Sequence, residues 1–176
     1  MLSGIFLDSS YFKSRNTGIR TFEAATILKE YGADNSLADD FLKDDYEEHK
    51  EVTEITSNLE TPFYGVVIAT GNSERLYDHA TIAKAANTCL SYKGVHAAFV
   101  FAKTSQREIR LSARSDGTIN VSLLAEKLGG GGHFTSAAAT FLSNDLKVVK
   151  EKIIMTLESS LTEATNTQPR LSEEEQ

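Results

Sequence analysis

From Glu108 the chain reads Glu108-Ile109-Arg110-Leu111-Ser112-Ala113-Arg114-Ser115, and further on it reaches Gly129-Gly130-Gly131-Gly132-His133 and then Ala137-Ala138-Ala139. The first run alternates with the period of a β-strand, so Ile109, Leu111 and Ala113 fall on one face and Arg110, Ser112 and Arg114 on the other. Two guanidiniums and a hydroxyl on one strand face suit bidentate recognition of phosphate. Four consecutive glycines cost backbone entropy, so such a run belongs where φ must be positive or the backbone must lie close to a ligand. Their N–H groups can form an anion-binding nest. His133, at the end of that run, is placed to reach a phosphate or a base. Either feature alone also fits an ordinary solvated strand face or a flexible turn. Together they point to an anion site.

Working outward, Tyr64–Thr70 and Val95–Lys103 read as further strands, His79–Ser91 and Asn120–Leu128 as helices, and Ala138–Leu142 as a strand. Ser143 is the expected cap of a last amphipathic helix, with Leu146, Val149, Ile153, Leu157 and Leu161 on one face. Beyond Glu163 the polar composition reads as a disordered tail, 163–176. Towards the N-terminus, Leu2–Leu7 reads as a buried strand ending in the polar turn Asp8-Ser9-Ser10. Thr21 is the expected cap of a helix Phe22–Tyr31 stopped by Gly32, and a short helix covers Leu37–Leu42. The charged segment from Asp44 to Leu59 carries only a thin apolar stripe, Tyr46, Val52, Ile55 and Leu59, which suits a solvated helical connector. Thr61-Pro62 marks a boundary. The expected division is 1–43, a connector 44–60, a second domain 61–162, and the tail.

Composition limits the function classes. Hydrophobic residues make up 40% and charged residues 24% of 176, which fits a cytosolic globular protein. No apolar run approaches the ~20 residues of a membrane span, and Met1–Ile5 is too short for a signal peptide, so the chain reads as a cytoplasmic domain. A single cysteine, Cys89, excludes an internal disulfide and a multi-thiolate metal site, and reads as a core residue. The net charge of −7 argues against duplex nucleic acid as a partner, while a small anionic ligand remains compatible. His49 lies in the charged connector and His96 in an apolar strand, where a hydrogen-bonded structural role is expected. Asp78-His79 is read as a helix start.

Ser112-Ala113-Arg114-Ser115 followed by Gly-Gly-Gly-His and a run of alanines resembles the DHH-associated C-terminal domain of DHH-family phosphoesterases, over roughly Thr61 to Leu161. Ser3-Gly4-Ile5-Phe6-Leu7-Asp8-Ser9 is similar to the last metal-ligand motif of the catalytic DHH domain, with Ser9 replacing the common threonine. Arg20-Thr21-Phe22-Glu23-Ala24-Ala25 with Gly32-Ala33-Asp34 is most similar to the GdpP-type cyclic-di-AMP phosphodiesterases. The resemblance implies an α/β fold: the end of a DHH domain, a helical linker and a C-terminal mixed-sheet domain. It implies a parent enzyme that hydrolyses cyclic di-AMP to linear pApA with two divalent metals, usually Mn2+, and that carries transmembrane helices and sensory domains upstream. Nanooligoribonucleotide or 3′-phosphoadenosine-phosphate hydrolysis within the same superfamily, or nucleotide or RNA binding without catalysis, are the alternatives.

By the same resemblance Asp8 is a metal ligand, Arg114 contacts phosphate or nucleotide, and Gly129, Gly130, Gly131 and Gly132 with His133 cradle the scissile or terminal phosphate, His133 as the catalytic group. Ser112 and Ser115 are weaker substrate contacts. One carboxylate cannot hold a metal pair, so the expected metal site is incomplete in this chain and the expected partner is a cyclic dinucleotide or short oligonucleotide. A homodimer is compatible with the sequence.

Overall fold

The computed structural model describes residues 1–14, 17–43 and 45–167, with the side chains of 161–167 outside the description. The chain divides into two compact units, Met1–Tyr46 and Glu47–Gln176. The described elements are α/β as expected: seven helices and a six-stranded mixed sheet.

The first unit holds α1 (Leu2–Asp8), α2 (Ile19–Glu30) and α3 (Asn35–Asp40). Leu2–Leu7 was expected as a strand and is helical. Leu2 and Phe6, four residues apart, lie on one helix face and are buried with Ala38 of α3. The unit offers this segment no partner strand among its described residues, and a helix satisfies its backbone internally. Helix α2 begins at Ile19 behind Gly18, so Thr21 lies inside the first turn and is no cap. The stop at Gly32 is as read: φ is +87°, and the N–H groups of Gly32 and Ala33 donate to the carbonyls of Lys29 and Leu28, a Schellman closure. Asp34 caps α3 by accepting from the Leu37 N–H.

The second unit opens with α4 (Tyr46–Ser57), followed by β1 (Leu59–Phe63), β2 (Val66–Thr70), α5 (His79–Leu90), β3 (Ala97–Ser105), β4 (Glu108–Ser115), α6 (Val121–Lys127), β5 (Gly131–His133), β6 (Ser136–Phe141) and α7 (Leu146–Thr167). The sheet order is β1-β2-β3-β4-β6-β5, with β2 and β3 parallel through the α5 crossover and every other pair antiparallel. Pro62 lies within the edge strand β1, at a register shift between Glu60 and Phe63, where a missing N–H breaks no regular ladder. The cap of α7 is Asp145, whose carboxylate accepts from the N–H groups of Lys147 and Val148. Ser143, expected in that role, instead accepts from the Asp145 N–H. Helix α7 runs on to Thr167; Leu161's side chain and residues 168–176 of the expected tail lie outside the described residues.

Strand alternation builds two cores on the two sheet faces. Val66, Ile68, Phe99, Phe101, Ile109 and Leu111 pack under α6 and α7 through Val121, Leu124, Val149, Ile153 and Leu157. Val67, Ala69, Ala98, Val100 and Ala102 pack under α5 through Ile82, Ala85, Ala86 and Cys89. Helix α4 joins this second core through Val52 and Ile55, and its Glu51 and Glu54 bond Arg75, so the middle of its apolar stripe is anchored on the sheet layer while Tyr46 stays exposed. Cys89 is a core residue whose thiol burial pushes up to about 11. Helix α5 lies over β3 and β4 on this face. The β4–β6–β5 half carries the polar side of β4.

Candidate functional site

On that half of the sheet lies a cleft of about 220 Å³, floored by Arg110, Ser112 and Arg114 of β4, Ser136 and Ala138 of β6, and Gly131 and Gly132 of β5, with His79 and Ala83 of α5 along its wall. The register explains the floor: Arg114 pairs with Ser136 and Ser112 with Ala138 across β4–β6, while His133 pairs with Ser136 and Gly131 with Ala138 across β5–β6. Directly paired residues project to the same face. His133, Ser136 and Arg114 therefore form one lateral row, and Gly131, Ala138 and Ser112 the next.

Arg114 is the best-fixed group in the cleft. Its Nε donates to Asn87 Oδ1 of α5 at 2.9 Å, and its Nη1 donates to Ser112 Oγ and the Ala113 carbonyl, each at 3.0 Å. All of these acceptors are neutral, and among the described residues no carboxylate pairs with it. Burial alone pulls its pKa below the usual value. A partly desolvated guanidinium without a counter-charge is chemically suited to receive an anion. Arg110 lies on the same face and donates from Nη1 to Thr140 Oγ1 at 2.7 Å.

The glycine run divides into distinct roles. Gly129, at φ +80°, closes α6 with its own N–H on the Glu126 carbonyl and the Gly130 N–H on the Ala125 carbonyl. A Cβ on Gly130 would lie 2.0 Å from the Ala138 carbonyl oxygen, and one on Gly132 2.5 Å from Ala137 Cα. Gly131 has open space around it. So Gly131 and Gly132 line the cleft, Gly129 and Gly130 shape its approach, and His133 is exposed at its rim.

Ser115 is placed elsewhere. It falls in step with Ile109, Leu111 and Ala113 on the other face of β4, and its Oγ accepts from the N–H groups of Gly117 and Ile119. It fixes the turn after β4. Ser112 is buried in the floor and braces Arg114. His96 bonds Asp116 at 2.9 Å and holds that carboxyl down at about 2, the structural role expected of it. His49 is exposed on α4. Asp78 caps α5, as read, by accepting from the Thr81 N–H at 2.7 Å.

Sequence reasoning missed the α5 contribution. His79, Ala83 and Asn87 recur every fourth residue, one stripe of a helix whose Ile82, Ala86 and Cys89 are buried. That polar stripe is the signal that identifies them. His79 Nε2 stands 3.7 Å from Glu108 Oε1, which also accepts from Thr104 Oγ1.

Asp8 lies in the first unit, at the end of α1, lining a largely apolar hollow of about 620 Å³ with Arg20, Thr21 and Leu28. Among the described residues no group of three or more His, Cys, Asp or Glu side chains comes together. The donor set around Asp8 thus does not fit a metal pair, whose ions each need several oxygen or nitrogen ligands.

A mixed sheet with a parallel β2–α5–β3 unit and an arginine-floored cleft edged by a glycine strand defines an α/β domain. More narrowly, residues 63–159 match the DHHA1 domain, and the chain belongs to that family. It is 38% identical over 159 residues to the cyclic-di-AMP phosphodiesterase PdeA of Listeria monocytogenes, covering 90% of this chain and 24% of that protein. It is 37% identical over 140 residues to the cyclic-di-AMP phosphodiesterase GdpP of Bacillus subtilis, covering 78% and 21%. The chain thus spans about a quarter of the length of these relatives. The fold is shared with an exopolyphosphatase-related protein from Bacteroides fragilis at a TM-score of 0.72 and 18% identity, covering 90% of this chain and 49% of that one.

Proposed function

We propose that this chain is the substrate-binding C-terminal part of a phosphodiesterase that hydrolyses cyclic di-AMP to linear pApA. The observation that carries the reading is the half-buried Arg114 guanidinium, fixed by three neutral acceptors in a glycine-edged cleft. The activities of the two relatives above supply the substrate class. At about 220 Å³ the cleft is smaller than a typical small-molecule pocket of roughly 300–1,000 Å³, so it takes one phosphate group of a dinucleotide and not the whole molecule.

In this reading Arg114, braced by Ser112, binds a phosphate oxygen; Gly131 and Gly132 let that phosphate approach the backbone; and His133 at the rim faces the scissile group as the catalytic residue of this domain. Gly129, Gly130 and Ser115 support the site through the backbone. Asp8 would offer one carboxylate to a Mn2+ pair whose remaining ligands would have to come from beyond these residues; bound there, such ions would supply Lewis-acid activation of water. Residues 1–43 are the end of the catalytic domain, 44–60 the linker, 61–162 the substrate domain and 163–176 a tail. The parent is anchored in the membrane with this part in the cytoplasm. None of the helices among the described residues is long and apolar enough to cross a membrane.

A shallow cleft for one phosphate end also suits short oligoribonucleotides or 3′-phosphoadenosine phosphate, and the test separates these. Calorimetric titration of the chain with linear pApA, cyclic di-AMP and 3′-phosphoadenosine phosphate is expected to show binding of the linear dinucleotide, lost in Arg114→Ala and weakened at least about tenfold, about 1.4 kcal/mol, in His133→Ala. Selective binding of 3′-phosphoadenosine phosphate moves the assignment to the alternative. No binding of any of the three overturns the reading.

A further inference from the structure

Arginine side chains removed from water are ordinarily paired with a carboxylate, because an isolated buried charge is expensive. Arg114 departs from this, and the departure is organised by α5. The three acceptors around it are the Asn87 amide oxygen, the Ser112 hydroxyl and the Ala113 carbonyl, and Asn87 reaches it across the cleft wall from a different element. A guanidinium has five N–H donors. One on Nε and two on Nη1 are engaged, which leaves the two on Nη2 for a ligand.

The carboxylate nearest in sequence, Asp116, lies two residues beyond Arg114 and is engaged by His96 and the Thr118 N–H; within β4 the nearest is Glu108, six residues back, about 20 Å at strand spacing. It is engaged by Thr104 and flanked by His79. The sheet and helix could have placed an aspartate where Asn87 stands, since the two side chains have the same shape. That change would convert the tether into an ion pair and cancel the charge that the cleft offers.

We propose that Asn87 is a positioning residue for ligand binding: its neutral amide oxygen fixes the Arg114 guanidinium against α5 without neutralising it, and so sets the affinity of the cleft for a phosphate group. This rests on the reading that Arg114 receives a phosphate. The residue acts through Arg114 and touches no ligand itself. Its neutrality is the functional property; its shape is only the means of reaching the arginine.

The test is calorimetric titration of the chain with linear pApA at two salt concentrations, comparing wild type, Asn87→Asp, Asn87→Ala and Arg114→Ala, with thermal unfolding of each alongside. Asn87→Asp keeps the geometry and strengthens the hydrogen bond, so its unfolding temperature is expected to equal or exceed that of wild type. Its affinity is expected to fall at least about tenfold and to lose most of its salt dependence. A purely structural asparagine would not separate these two readouts. Asn87→Ala, which loses orientation but keeps the charge, is expected to bind more weakly than wild type and more tightly than Asn87→Asp, and it supplies the comparison should the aspartate variant fail to fold. If Arg114→Ala loses binding while both Asn87 variants bind like wild type, the Asn87 assignment is wrong and the phosphate-binding role stands. If Arg114→Ala binds like wild type, the phosphate-binding role itself falls.

Discussion

Gly130 and Gly131 are neighbours with opposite constraints. A side chain on Gly130 would overlap the backbone of β6, with the Ala138 oxygen at 2.0 Å and Ala139 Cα at 2.6 Å, whereas Gly131 has nothing within 4 Å of a built Cβ and lies outside the left-handed region of φ. Gly130→Ala is therefore expected to destabilise the second unit by about 3 kcal/mol, as overpacking against backbone does. Gly131→Ala should leave stability within about 0.5 kcal/mol of wild type or raise it slightly by restricting the unfolded chain. If Gly131 is the open floor beneath a phosphate, the same methyl lowers dinucleotide affinity by at least about tenfold. Chemical denaturation and titration of the two variants check this; a stable Gly130→Ala, or a Gly131→Ala that binds like wild type, contradicts the corresponding role. The run Gly129–Gly132 was legible as a backbone device from composition alone. That Gly131, unlike its neighbours, meets neither a packing nor a positive-φ requirement was not, because the distinction depends on how α6 ends and where β6 passes.

At the scale of elements, what could be read depended on whether the pattern was carried by the segment itself. Strand β4 was readable because both of its faces are specified, apolar towards α6 and α7 and polar towards the cleft. Helix α5 was readable from its cap and apolar face. Strand β5 was not, since Gly131-Gly132-His133 has no side-chain alternation and becomes a strand only by pairing with β6. Helix α1 was misread because seven residues of mixed apolar character fit either period. The cap of α5 matters for the site, since the helix carries His79, Ala83 and Asn87 along the cleft wall. Asp78→Ala is expected to cost about 1 kcal/mol, whereas Asp78→Asn, an equally good cap, should cost much less. The Thr81 N–H, first among its partners, holds the Asp78 carboxyl below its ordinary value. A carboxyl with a depressed folded pKa contributes stability that is fully present above its unfolded pKa, about 3.9, and is lost as pH falls through the lower folded value. Wild type and Asp78→Asn should thus keep a constant difference in denaturation midpoint from pH 7 down to about 5, and the wild type alone should lose ground below about 4. An Asp78→Ala variant as stable as wild type would show that the cap contributes nothing.

Across the whole molecule, the two units differ in how much core each possesses. The second has two contiguous apolar clusters, one on each sheet face. The first has Leu2, Phe6 and Ala38 buried, while Leu7, Ile19, Tyr31 and Phe41 stand more than two-thirds exposed. Chains near 40 residues rarely bury enough surface to hold a fold unaided. The resemblance of Ser3–Ser9 to a catalytic-domain motif was legible, but the ligand set it belongs to is not assembled by these residues, so Asp8 could be named and its site could not. Hydrogen exchange provides the corresponding measurement. Amides of α1, α2 and α3 are expected to open with free energies of about 0–2 kcal/mol, and those of β2, β3 and β4 only at the global unfolding free energy of the second unit. Saturation with linear pApA at about 100 times its Kd should then add about 2.7 kcal/mol to the second set and leave the first unchanged, because the proposed binding cleft is built from β4, β5, β6 and α5. Equal protection of both sets without ligand would mean that the small helical unit is part of one cooperative fold. Added protection in α1–α3 would mean that ligand binding involves residues beyond the cleft.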